Sequence, residues 1–123
     1  MEGRVDGGHI KILMSELYTG NLRTKVIDIA SSGANELIAA PTTGYIVIDF
    51  ITLLPTTAVT VTLKSASTAL TGPLPLDTKQ PFTFENTIHS DQGIFTCAPL
   101  EAFNITLGSA VQCGGFIRYR VIN

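Results

Sequence analysis

From Thr24 onward, apolar and polar residues alternate in short runs separated by turn-forming residues. In "AVTVTLKS", Val59, Val61 and Leu63 fall on one side and Thr60, Thr62 and Lys64 on the other, the two-residue period of a strand with one buried face. The same rhythm places Phe82 and Phe84 inward in "FTFENT", and Phe103, Ile105 and Leu107 inward in "FNITLG". In the closing run "GFIRYRVI", Ile117, Tyr119 and Val121 point inward, with Phe116, Arg118 and Arg120 outward. Adding "TKVIDIAS" (Thr24 to Ser31), "ELIAA" before Pro41, "IFTC" and a short run at "TALTG" brings the total to roughly eight or nine strands. That spacing predicts an all-β fold, an antiparallel β-sandwich, and the strand number fits a jelly-roll better than an immunoglobulin-like topology. Pro73, Pro75, Pro81 and Pro99 are expected between strands, where a missing N–H removes no ladder bond, and "GPLPLDTKQP" reads as a long surface loop.

One run departs from the rule. "YIVIDFITLLP" (Tyr45 to Pro55) reads as a strand with two apolar faces, Ile46, Ile48 and Phe50 on one and Tyr45, Val47, Ile51 and Leu53 on the other, with Asp49 its only charge. A small domain has one core, so the second face needs a cover, and another protein chain is the expected one.

The first residues follow a different period. Gly3, Gly7 and Gly8 are followed by Ile10, Leu13, Met14 and Leu17 at i, i+3, i+4, i+7, one apolar stripe if the segment is helical. Such a short helix is marginal alone and must dock, either on its own sandwich or on a neighbouring subunit. The expected organisation is therefore an extended or partly helical N-terminal arm over residues 1–23 and a sandwich over residues 24–123.

Composition sharpens this picture. The 123 residues are 45% hydrophobic but only 15% charged, against about 25% charged in an average soluble domain. A surface this short of charge suits a molecule whose exterior is largely hidden in an assembly. The net charge of −2, with no Lys/Arg cluster, argues against nucleic-acid binding. No run is long enough for a membrane helix, and "MEGRVDGGHIK" lacks the features of a signal peptide, so synthesis in the cytoplasm without a membrane partner is expected.

Candidate chemistry is sparse. Cys97 and Cys113 lack the paired spacing of a zinc motif and read as buried thiols, with a disulfide as the alternative. His89 and Asp91 in "HSD" are too close in sequence to converge as a catalytic triad, and a third metal ligand is not evident. "DGGHIK" matches neither phosphate loop nor dinucleotide fingerprint. Asn104 begins a glycosylation triplet, but inside an alternating strand. Asp28 and Asp49 occupy similar places in apolar strands, and pairing of Asp49 with Arg118 or Arg120 across sheets or subunits is expected instead of a shared carboxylate site. An enzyme is not expected, nor is any cofactor or metal.

The carboxy-terminal half carries a resemblance. "AVTVTLKSASTALTGPLPL", "FTFENT" and "LEAFNITLGSAVQCGGFIRYRVI", spanning Ala58 to Ile122, resemble small structural proteins of tailed bacteriophages. The matching residues are Thr71, Gly72 and Pro73, then Phe103, Ile105 and Leu107, then Ala110 and Val111, and finally Gly115, Tyr119 and Val121. Cys113 and the "CGG" turn depart from the usual apolar-Gly step, and the arm has no counterpart. The resemblance implies a capsid decoration (cement) protein, a homotrimer on the virion exterior that bridges major capsid subunits. A tail, fibre or baseplate module that binds a host receptor or glycan is the alternative. On this reading the contact residues are Ile10, Leu13, Met14 and Leu17 of the arm, Val47, Asp49 and Ile51 of the two-faced strand, and Phe116, Arg118 and Arg120 of the last strand.

Overall fold

The computed structural model describes residues 21–123. Ten strands are present, β1 (Arg23–Ile29), β2 (Gly33–Ile38), β3 (Tyr45–Pro55), β4 (Val59–Ser65), β5 (Thr68–Ala69), β6 (Leu74–Leu76), β7 (Phe82–Glu85), β8 (Phe95–Thr96), β9 (Phe103–Leu107) and β10 (Cys113–Ile122), with no helix among the described residues. The first sheet runs β1-β10-β3-β7, with β8 also on β3; the second runs β2-β9-β4-β5, with β6 also on β4.

The short strands share edges. β7 pairs with Phe50 to Leu53 of β3 and β8 with Val47 and Ile48, while β6 and β5 pair with successive stretches of β4. The antiparallel pairs therefore nest, β1 with β10, β2 with β9, β3 with β7 and β8, β4 with β5 and β6, and successive pairs alternate between sheets. One core lies between them. Ile27, Ile46, Ile48, Ile51, Leu53 and Ile117 from the first sheet meet Val61, Leu63, Phe103, Ile105 and Leu107 from the second.

The inward faces of β4 and β9 are those the alternation predicts: Val59, Val61, Leu63, Phe103, Ile105 and Leu107 are all buried. "GPLPLDTKQP" is not all loop. Leu74–Leu76 forms β6, an edge strand, where Pro75 interrupts no inner ladder and Leu76 is buried. Nor is "CGG" a turn, since Cys113, Gly114 and Gly115 all pair within β10.

The two-faced strand resolves at Asp49. Arg118 of β10 faces Phe50 and Tyr119 faces Ile48, so Asp49 is an extra residue with no ladder partner, a β-bulge. A bulge shifts the side-chain phase by one, which brings Ile46, Ile48, Ile51 and Leu53 to the same inner face, all fully buried. Without the slip, Ile51 and Leu53 would point outward. Burying such side chains is worth about 1.5–3 kcal/mol each, more than the roughly 1 kcal/mol net of one ladder hydrogen bond, so the core sets the register.

Val47 does lie on the outer side, yet it too is fully buried. Its cover is the chain's own segment between β7 and β8. That segment leaves the sheet at the bulge, where the Asn86 N–H donates to the Asp49 carbonyl at 2.9 Å, and returns where the Ile94 N–H donates to the Ile48 carbonyl at 2.8 Å. Gly93, with φ of 64°, packs so tightly on this strand that a Cβ there would lie 2.6 Å from Cγ1 of Val47.

Candidate functional site

Beyond the 86–94 segment, the outer face of the first sheet is open among the described residues, and the register orders it into rows. Asp28, Gly114 and Leu54 form one; Val26, Phe116, Thr52 and Thr83 form the next; Thr24, Arg118, Phe50 and Glu85 form the third. In the first two rows Asp28 is the only charged side chain, and it accepts a hydrogen bond from Gln112 Nε2 at 2.7 Å. Val26 and Leu54 are among the most exposed large apolar residues, at 69% and 48%. Gly114 between Asp28 and Leu54 presents bare backbone, so an incoming surface meets no side chain there.

The third row borders an open groove of about 510 Å³ whose lining includes Leu22, Phe50, Glu85, His89, Phe116 and Arg118. The half-buried rings of Phe50 and Phe116 stack 5.3 Å apart with planes 19° from parallel, and the Arg118 guanidinium carbon lies 5.9 Å from the Phe116 centroid. At that spacing and tilt the rings are offset, each covering part of the other's face.

Under the groove's far wall lies an ion pair. Arg120 donates from Nε to Asp49 Oδ2 at 2.6 Å and from Nη2 to Oδ1 at 2.9 Å, and also from Nη2 to the Asp91 carbonyl at 3.2 Å. Asn86 joins the pair to the covering segment: its Nδ2 donates to Asp49 Oδ1 at 3.1 Å and to the Ser90 carbonyl at 2.8 Å, while its Oδ1 accepts from the Ser90 N–H at 3.0 Å. The bulge gives Asp49 its place beside Arg120, and the planar guanidinium matches the carboxylate fork.

The expected contact residues thus separate. Phe116 and Arg118 are on the open face. Val47 and Ile51 are not, because one lies under the chain's own 86–94 segment and the other in the core, so neither can touch a second molecule in this fold. Asp49 does pair with an arginine, but with Arg120 of the same sheet in the same chain; Arg120 is 0% exposed and Asp49's side chain, which also lines the groove, 12%. Ile10, Leu13, Met14 and Leu17 lie outside the described residues. Val26 and Leu54 were not singled out by sequence reasoning. Val26 carried a signal, since inward Ile27 and Ile29 send it outward with Asp28, whereas the outward place of Leu54 depends on the bulge.

Other sequence candidates do not converge. Asp28 and Asp49 have different partners, Gln112 and Arg120. His89 has a positive φ of 54° in the covering segment, where Asp91 contributes its backbone carbonyl to Arg120. Asn104 Nδ2 donates to the Ala66 carbonyl at 2.9 Å. Cys97 and Cys113 are free and buried; burial pushes the Cys97 thiol up to about 11, a hydrogen bond with Ser65 opposing this and the Glu101 charge adding to it, and burial also raises Cys113. Among the described residues, no group of three or more His, Cys, Asp and Glu is placed to hold a metal ion. What this surface presents is a row of apolar and hydroxyl side chains with Asp28 as the one charge in its first two rows.

No family model matches the chain, and neither do any curated protein or solved structure.

Proposed function

We propose that this chain is an adhesive structural protein of a virion, a capsid decoration (cement) protein built on a jelly-roll. The nested pairs alternating between two sheets support the jelly-roll reading, since that fold is a double-sheet roll of eight strand positions. β5 with β6, and β7 with β8, each count as one position broken by a short interruption.

The observation that carries the functional reading is the outer face of the first sheet, where Val26, Leu54, Phe116, Thr52 and Thr83 form a contiguous surface with Asp28 as its only charge. A monomer gains nothing by holding such a patch in water, whereas a protein seated among capsid subunits buries it. This face replaces Val47 and Ile51 as the contact. The partner on this reading is the major capsid protein at the capsid exterior, with the chain acting as a homotrimer so that many weak contacts add. The phage assignment rests on the sequence resemblance; the surface supports adhesion to protein.

Capsids lacking the chain provide the test. Added wild-type protein should co-sediment with them, and the Val26→Glu/Leu54→Glu variant, with unchanged thermal unfolding, should not. Equal binding by the variant would overturn the assignment of this face. A wild-type chain that is monomeric by light scattering and binds no capsid would overturn the decoration role.

The second reading, a tail, fibre or baseplate module for a host receptor or glycan, draws on the groove, which sets Arg118 and Glu85 beside two aromatic rings. It is the weaker of the two, because Phe50 and Phe116 occupy one another's faces and a sugar needs an open one. Binding on a glycan array would favour it.

A further inference from the structure

The second sheet has an outer face of its own, built largely of short side chains. The register of β2, β9 and β4 puts Ala34, Thr106 and Thr62 in one row and Glu36, Asn104 and Lys64 in the next, because the alternate residues Ile105, Val61 and Leu63 point into the core. Among the described residues this face is open, and a shallow groove of about 560 Å³ lies over it, lined also by Ala66 and Ala102. We propose that a second copy of this chain covers it, the two copies being related by a two-fold axis that runs along β9. The contact lies on the opposite side of the sandwich from the face assigned to the capsid, so that face stays free, and where the chains form homotrimers it links one trimer to the next. It does not depend on the capsid reading.

Charge selects both the occupant and the axis. Glu36 and Lys64 stand one strand to either side of Asn104, about 10 Å apart, and among the described residues neither has an ion pair. Turning the face over about β9 exchanges its two flanks. Glu36 of each copy then lies over Lys64 of the other, and the attraction forms twice, as a self-complementary surface requires. A two-fold axis along the row would instead set Glu36 on Glu36 and Lys64 on Lys64. Glu101, the third charged residue of the lining, is engaged within its own chain, where its Oε1 accepts from Ser65 Oγ at 2.7 Å.

Size and hydrogen bonding agree with the same operation. It lays Thr62 of one copy over Ala34 of the other, a larger side chain against a smaller one, and it brings Thr106 to Thr106 at the axis. Thr106 Oγ1 is buried and finds no hydrogen-bond partner among the described residues, a condition that buried polar groups rarely keep. Rotation about the Cα–Cβ bond turns this hydroxyl to the open side of the sheet. There the other copy's hydroxyl, donor and acceptor alike, completes the bond directly or through one water.

The test uses the full chain and a short bifunctional maleimide. A residue at the axis meets itself, so Thr106→Cys should be joined into a species of twice the chain mass on a denaturing gel, while Thr83→Cys on the first sheet serves as the control. Cys97 and Cys113 are buried and stay unmodified under native conditions. Sedimentation equilibrium supplies a readout that leaves Thr106 untouched. Glu36→Lys and Lys64→Glu should each weaken association about tenfold, since each turns two attractions into repulsions, and the double variant should associate like wild type, all with unchanged thermal unfolding. Cross-linking of Thr106→Cys no greater than that of Thr83→Cys would overturn the proposal, and so would single variants that associate as well as wild type. A double variant no better than either single one would also overturn it, because Glu36 and Lys64 would then not face each other across the copies.

Discussion

Asp49 and Arg120 form a two-pronged ion pair, at 2.6 and 2.9 Å, that exists because a bulge turns the carboxylate toward the outer side of the last strand. Arg120 is fully buried by the chain itself. Removing one partner leaves a desolvated charge without its counter-charge, which in buried pairs lowers stability by about 3–5 kcal/mol. Asp49→Asn and Arg120→Met should each lower the unfolding free energy measured in urea by that order. The double variant should recover much of the loss, because no orphaned charge remains. Single variants within 1 kcal/mol of wild type, an order-of-magnitude threshold set by exposed pairs, would mean that the pair behaves as a surface one.

Asn86 fastens the covering segment to that pair through three side-chain hydrogen bonds. Asn86→Ala leaves the Ser90 N–H and carbonyl without this partner and should lower stability by about 1–3 kcal/mol. The local effect should be larger than the global one. Amide exchange at Ser90 should accelerate in the variant well beyond that of β9, and proteolytic cleavage should appear within residues 87–94. Unchanged exchange at Ser90 would show that backbone bonds alone hold the segment.

The sequence is most legible where the alternation is unbroken. Val59 to Leu63 and Phe103 to Leu107 show their buried side directly, because each strand has one core side and one solvent side. Two features were hidden for physical reasons. The bulge at Asp49 inverts the phase in mid-strand, so Ile51 and Leu53 looked opposed to Ile48 when they share its face. Val47 looked like an interface residue because its cover comes from Gly93, remote in sequence, and no local period encodes a long-range contact. Of the proposed contact surface, Phe116 follows from β10 alone; Leu54 needed the register.

Two glycines report on close approach and should tolerate no side chain. Gly93 has φ of 64° and Gly115 φ of 149°, and a Cβ at either would collide with backbone, the Ile48 carbonyl oxygen in one case and the Thr52 carbonyl oxygen in the other. Overpacking together with backbone strain predicts a loss of about 2–5 kcal/mol for Gly93→Ala and for Gly115→Ala. Gly72→Ala is the control, having open space around it and no positive φ; it should stay within about 0.5 kcal/mol of wild type. Thermal unfolding of the three variants side by side measures the contrast, and a Gly115→Ala protein as stable as Gly72→Ala would contradict the packing of β10 against β3.

Cys97 should make stability fall at alkaline pH. Its thiol ionises near 9.0 in an unfolded chain, but burial holds it protonated in the fold up to about 11. A folded-state value above the unfolded one means that the fold retains the proton more tightly. The stabilisation from that protonated thiol is complete below 9.0 and is lost as pH rises toward 11. The informative quantity is the difference from Cys97→Ala, in which every other group remains and the thiol is gone. Urea unfolding across this interval should find wild type ahead of the variant below 9.0, with the gap closing steadily above it. A gap that stays constant would mean that Cys97 ionises equally readily in both states, and that burial at the sheet interface leaves its thiol unperturbed.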